Sequence, residues 1–133
     1  MTTPPVDLPP LTSDEDVLAR IDAVVGPAGA QRLWLLFVNG DGRQSPAVVP
    51  ISGLPRSPDR RRLDSLERIL TGLESELRAD RGAVILTWER MGGDDAVPTD
   101  HEWAEELTDL CRTAQVPLRG VYLRTPGGVQ RLR

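Results

Sequence analysis

A single α/β domain, with a mixed sheet of four or five strands and three helices packed on it in the order α-β-β-α-β-α-β-(β), follows from three features of the 133-residue chain. Ala83 to Arg124 reads strand, loop, helix, strand, the unit that sets two parallel strands side by side with a helix across them. Arg32 to Val38 is apolar at nearly every position, as suits a strand near the sheet centre that is covered on both faces. Arg60 to Ala79 carries Leu63, Leu66, Ile69, Leu70, Leu73 and Leu77 along one helical stripe. A chain of this length buries roughly two thirds of the surface its unfolded form exposes, so it needs no disulfide or metal to fold.

Residues 1–10 hold four prolines and few large apolar side chains, which predicts a disordered, extended leader ahead of a domain over residues 11–133. Thr12-Ser13-Asp14-Glu15 supplies a hydroxyl cap with an acid three positions on, and Val17, Leu18, Ile21, Val24 and Val25 share one face before Gly26-Pro27 stops the helix. Asn39-Gly40-Asp41-Gly42 marks a tight connection after the first strand. Ala47-Val48-Val49 with Ile51 predicts a shorter second strand, and Pro46 and Pro50, which lack amide donors, place it at a sheet edge.

Ser57-Pro58 reads as the cap of the second helix. Gly72 within that helix either costs roughly 1 kcal/mol relative to alanine or marks close packing on a strand. After the strand Ala83–Trp88, a third helix is expected from Thr99 to about Gln115, with Thr99 and Glu102 as a capping box and Pro98 and Trp103 as a hydrophobic staple. Trp103, Leu107, Leu110, Cys111 and Ala114 fall on its apolar face, which makes Cys111 a small core residue. Leu118–Arg124 then pairs with Ala83–Trp88 through a right-handed crossover. Thr125-Pro126-Gly127-Gly128 turns the chain into a short edge strand, Val129 to Leu132. Both edge strands read as short enough to accept a partner.

Composition excludes several kinds of chemistry. All sixteen basic residues are arginine, so neither a Schiff-base lysine nor a phosphate-loop lysine exists in the sequence. The single His101 leaves no multi-histidine metal site, and the single Cys111 no internal disulfide. A formal net charge of −4 gives no support to general nucleic-acid affinity, and Arg60-Arg61-Arg62 reads as a solvated helix start. No apolar run is long enough to span a membrane, and the cysteine usage fits a reducing cytoplasm. No residue has a catalytic signature, and no cofactor is expected.

Ligands of α/β sheets gather beyond the carboxyl ends of parallel strands, which directs attention to the loop from Trp88 to Pro98 and the helix start after it. Trp88 and Arg90 alternate on one strand and point to one side, where an indole face and a guanidinium suit an anionic or planar ligand at the amides beyond Thr99. Asp94 and Asp95 would regulate access or bind a cation; alternatively Arg90 simply pairs with one of them. A carboxylate-rich metal site can also be drawn from Asp94, His101 and Glu105, the last two one helical turn apart.

The run Ala83-Val84-Ile85-Leu86-Thr87-Trp88-Glu89-Arg90-Met91-Gly92-Gly93-Asp94, with Pro98-Thr99 and a helix leading to Val116-Pro117-Leu118, resembles in layout the RadC branch of JAB/MPN metalloprotease-like domains. The likeness covers about Arg32 to Leu132. That family has metal-binding histidines where this chain has Trp88 and Arg90, and its downstream Ser-x-x-Asp is matched only by Thr99 and Glu102. The resemblance therefore implies a related scaffold without zinc hydrolysis. From Leu33-Trp34-Leu35-Leu36-Phe37-Val38 through Val48-Val49-Pro50-Ile51 to Gly120-Val121-Tyr122-Leu123, the chain is also similar to a group of small uncharacterised actinobacterial proteins, a likeness that carries no activity. Two expectations follow. One is a non-catalytic binding or assembly module, with an unknown protein partner or a second copy in a symmetric dimer. The other is a small carboxylate- or metal-dependent hydrolase with its site in residues 88–102.

Overall fold

The computed structural model describes residues 9–133, so most of the expected leader lies outside the described residues. Three helices and five strands follow in chain order: α1 (Asp14–Val25), β1 (Arg32–Val38), β2 (Gln44–Ser52), α2 (Arg60–Ala79), β3 (Ala83–Glu89), α3 (Pro98–Thr113), β4 (Leu118–Thr125) and β5 (Gly128–Arg131). They form one mixed sheet in the order β2-β1-β3-β4-β5. β1 is antiparallel to both neighbours, β3 and β4 are parallel across the α3 crossover, and β5 returns antiparallel on β4.

The alternation of strand side chains divides the core in two. On one face Leu33 and Leu35, Val84, Leu86 and Trp88, and Val121 and Leu123 meet the apolar stripes of α2 and α3. On the other, Leu36, Val38, Ile85 and Tyr122 meet Val17 and Ile21 of α1. Helices on both faces explain why β1 and β3 are apolar almost throughout. Cys111 is buried against the first face, and burial pushes its thiol up to about 12.

Several local expectations shift. The α1 box is Ser13 with Asp16, one residue on from Thr12 and Glu15: Ser13 Oγ accepts from the Asp16 amide at 3.1 Å, and the Asp16 carboxylate accepts from the Ser13 amide at 3.1 Å. Thr12 joins the same carboxylate through its amide and hydroxyl. The α2 cap is Asp59 rather than Ser57, accepting from the Arg62 amide at 2.8 Å. Gly72 packs on no strand; a Cβ there would meet nothing within 4 Å. Ile69, expected in the buried stripe, is 41% exposed, on the flank of α2 away from Leu63, Leu70 and Leu77.

β2 is an edge strand as expected but runs nine residues. The connection before it is closed by Asn39, whose Oδ1 accepts from the Asp41 and Arg43 amides at 2.9 and 3.0 Å, while Gly42 takes the left-handed φ of 78° that the turn requires. Leu11 anchors the chain here, donating its amide to the Gly42 carbonyl at 2.7 Å.

Candidate functional site

β3 ends between the two cores, and the parity of its last residues sends them to opposite faces. Trp88 points into the α2/α3 core, fully buried and stacked on Trp103 with ring centroids 5.0 Å apart. The Trp103 indole N–H donates to the Arg56 carbonyl at 2.8 Å, tying the loop before α2 to α3. The indole face expected to receive a ligand is thus covered by a second indole.

Arg90 continues the β3–β4 ladder through its amide, which donates to the Arg124 carbonyl at 3.0 Å, and turns its side chain inward beside α3. The residue is 1% exposed. Nε and Nη2 donate to the two carboxylate oxygens of Asp100 at 2.8 and 2.7 Å, a bidentate pair. Nη1 also donates to the Gly93 carbonyl at 2.8 Å, and Nη2 to the Asp95 carbonyl at 3.0 Å. The guanidinium thereby shapes residues 91–95 around itself. Its partner is Asp100, not Asp94 or Asp95.

Asp100 also resets the start of α3. Its carboxylate accepts from the Val97 amide at 2.9 Å, so the helix begins at Pro98 with Val97 as cap, and the expected Thr99–Glu102 box does not form. Valine offers no acceptor, so only the reciprocal half of a capping box exists here. Thr99 becomes the second helical residue. The helix end expected to receive an anion already holds one. Burial pushes the Asp100 carboxyl up, but the Arg90 bonds and the Val97 amide outweigh it and hold the group below the usual range. The Trp88 indole N–H makes no hydrogen bond, yet its positive end also favours this carboxylate.

Asp94 makes no hydrogen bond to Arg90 and latches the loop to the β4–β5 turn. Its Oδ1 accepts from the Gly127 amide at 2.8 Å and the Thr125 hydroxyl at 3.3 Å, and its carbonyl accepts from Gln130 Nε2 at 2.9 Å. Gly127 suits this approach, since a Cβ there would meet the Asp94 carboxylate and push it aside. Asp95, His101 and Glu105 carry exposed side chains. Asp94, His101 and Glu105 are not brought together: among the described residues, no group of three or more His, Cys, Asp or Glu stands placed to hold a metal ion.

From the sequence Glu89 counts only as one more carboxylate at the loop; the structure makes it an internal joint. Fully buried on the α1 face, it accepts from Arg32 Nε at 2.9 Å, Trp34 Nε1 at 2.8 Å and the Gly29 amide at 2.7 Å, with longer bonds from Arg32 Nη2 and the Ala30 amide at 3.2 Å. Burial pushes this carboxyl up, and the bonds outweigh it and hold it down. Arg124 stands beside it in the parallel register, its Nη1 donating to Asp22 at 2.6 Å while its buried Nε finds no partner. The signal was present as parity: Thr87 and Glu89 share a face, as do Arg32 and Trp34. The β1–β3 register, which pairs Arg32 with Glu89, was needed to join them.

The carboxyl ends of β3 and β4 are therefore closed by two internal polar joints, Arg90–Asp100 on the α3 side and Glu89–Arg32 on the α1 side. No known family model, curated protein or solved structure matches the chain. Among the described residues, no helix is long and apolar enough to cross a membrane.

Proposed function

We propose that this chain is a non-catalytic binding or assembly module whose partner is another protein or a second copy of itself. The observation that carries the reading is the commitment of the loop's functional groups to the fold. Arg90, Asp100, Glu89 and Asp94 each hold two or more protein groups, and Trp88 is covered by Trp103. A ligand at this corner would have to displace a buried bidentate ion pair, which strands a charge at a cost of about 3–5 kcal/mol. The scaffold without zinc hydrolysis implied by the RadC-like layout agrees with the same reading. Among the described residues, the exposed large apolar side chains are Met91 in the loop itself, 51% exposed, and, away from it, Val49 on β2 and Ile69 on α2, 40% and 41% exposed.

The test is a thermal-shift screen of the full chain with divalent cations and with small anions, because a ligand that binds only the folded form raises the melting temperature. The expected result is no shift that depends on the loop. A cation- or anion-dependent rise that disappears in Asp94→Ala would overturn the reading and return the site to residues 88–102.

A further inference from the structure

The flank of α2 that borders β2 carries an ordered pattern. Arg62, Ile69 and Glu76 stand seven residues apart, so they share one side of the helix, basic, apolar and acidic in turn. Other observations set this stripe beside the sheet edge. Arg62 Nε donates to the Gly53 carbonyl at 3.3 Å, just past the end of β2. Ile69 and Ile51 of β2 line the same apolar hollow. Glu76, with Leu73, lines a hollow of about 160 Å³ whose other wall includes Ala47 and Ser45 near the start of β2. Val49 lies between Ala47 and Ile51 and projects to the same face.

Among the described residues the charges on this flank lack ion-pair partners, although Arg62 Nε is held by the Gly53 carbonyl. Along α2, Arg60 pairs with Asp64 and Arg78 with Glu74, but among the described residues neither Arg62 nor Glu76 has an ion-pair partner. Three arginines in the first turn of α2, with no acid there, also oppose the helix dipole. The arrangement is self-complementary. A two-fold axis passing by Ile69 would run a second α2 antiparallel to the first, lay Ile69 on its own copy and set Arg62 opposite Glu76 twice. Two antiparallel dipoles would then offset one another as well.

We infer that the β2/α2 edge is an interface between two copies of this chain, related by a two-fold axis at Ile69 and held in register by reciprocal Arg62–Glu76 pairs. This rests on the assembly reading and names its partner. A closed two-fold dimer is the arrangement in which one patch must complement itself, as this stripe does. Pairing of β2 strands across the axis is not the source of the contact, because Pro46 and Pro50 remove two amide donors from that edge. The contact is between side chains, and its apolar centre is small. It therefore belongs to the weak, salt-sensitive class of interfaces.

The test is sedimentation equilibrium or light scattering of the full chain from micromolar to millimolar concentration at low salt. The expected average mass rises above 14.6 kDa toward twice that value. Arg62→Glu and Glu76→Arg should each weaken association at least tenfold, and an equimolar mixture of the two variants should restore it as a heterodimer, because each contact then regains opposite charges. A change that merely perturbed folding would not be rescued by mixing, which covers the half-buried Arg62 as well as the exposed Glu76. A wild-type mass of 14.6 kDa at millimolar concentration would overturn the inference, as would association indifferent to both reversals, or variants that fail to recover when mixed. Any of these leaves the module reading to be decided by the thermal-shift screen.

Discussion

Replacing Arg90 by alanine tests how the loop between β3 and α3 is built. The substitution removes the bidentate pair to Asp100 and the donors to the Gly93 and Asp95 carbonyls. The carboxylate dominates the cost, because Asp100 is fully buried and losing one member of such a pair costs about 3–5 kcal/mol. The freed carbonyls lie in a loop that water reaches, so each adds less than about 1 kcal/mol. With a urea m-value of about 1–3 kcal/mol/M, the midpoint should fall by roughly 2 M. pH sharpens the test. In the wild type the Asp100 carboxyl is held low, so its stabilising contribution is present above the unfolded pKa, near roughly 4, and is lost as pH falls through the lower folded value. Without Arg90, burial is left opposed mainly by the Val97 amide and the pKa rises, so protonation relieves the stranded charge. The gap between variant and wild type should therefore narrow below about pH 4. Urea titrations followed by circular dichroism at pH 7 and pH 3 measure both effects. A loss within about 0.5 kcal/mol at pH 7, the usual range for a surface change, or a gap unchanged at pH 3, would refute the reasoning.

Gly72→Ala should stabilise the monomer by about 0.5–1 kcal/mol, since the position is helical and open and alanine lowers the entropy of the unfolded chain; thermal denaturation at low micromolar concentration checks it, and a lower melting temperature would reveal a contact at that position. Alkaline destabilisation is expected from Cys111 and Tyr122, whose groups burial pushes up to about 12. The sign follows from the raised folded values. Their contribution is complete below the unfolded pKa values, roughly 8.5 and 10, and is lost as pH rises toward the folded ones. Urea midpoints should fall steadily above about pH 8.5, with the first part of that slope absent in Cys111→Ala. Native Cys111 should also resist thiol reagents at pH 8, and labelling at the rate of a free thiol would contradict its burial.

The order of elements was legible because the chain's periods are unambiguous where it matters. The leucine stripe of α2 and the apolar runs of β1 and β3 admit one reading each, and the helices on both faces of the sheet supply the reason for those runs. Caps were less legible, because neighbouring residues offer equivalent chemistry. Thr12 and Ser13 both present a hydroxyl with an acid three residues on, and the choice between them depends on where α1 meets the sheet: Asp14, in its first turn, accepts from the Tyr122 hydroxyl at 2.7 Å. At α3 the competition is sharper. Asp100 would ordinarily be a solvated acid answering the helix dipole, but Arg90 draws it inside, and a carboxylate in that position takes the Val97 amide and starts the helix earlier than Thr99 could.

The same reasoning accounts for why the loop 88–102 looked like a site. Its residue types are those of a binding corner: an arginine and a tryptophan at a strand end, acids nearby, and a helix start beyond. In an open α/β sheet such groups face a crevice outside the carboxyl ends of parallel strands. Here the parallel pair is flanked by short connections that fold back on it. Asp94 is latched to the β4–β5 turn, Arg56 is tied to Trp103, and residues 29–30 reach across to Glu89. Each latch directs a polar group of the crevice onto the protein itself. What distinguishes a binding corner from a structural joint is thus the partner of each charge, which depends on tertiary register and not on residue type. On α2 the relation is reversed: Arg62 reads from the sequence as part of a solvated helix start, and among the described residues the fold leaves it and Glu76 without ion-pair partners on the flank where Ile69 is exposed.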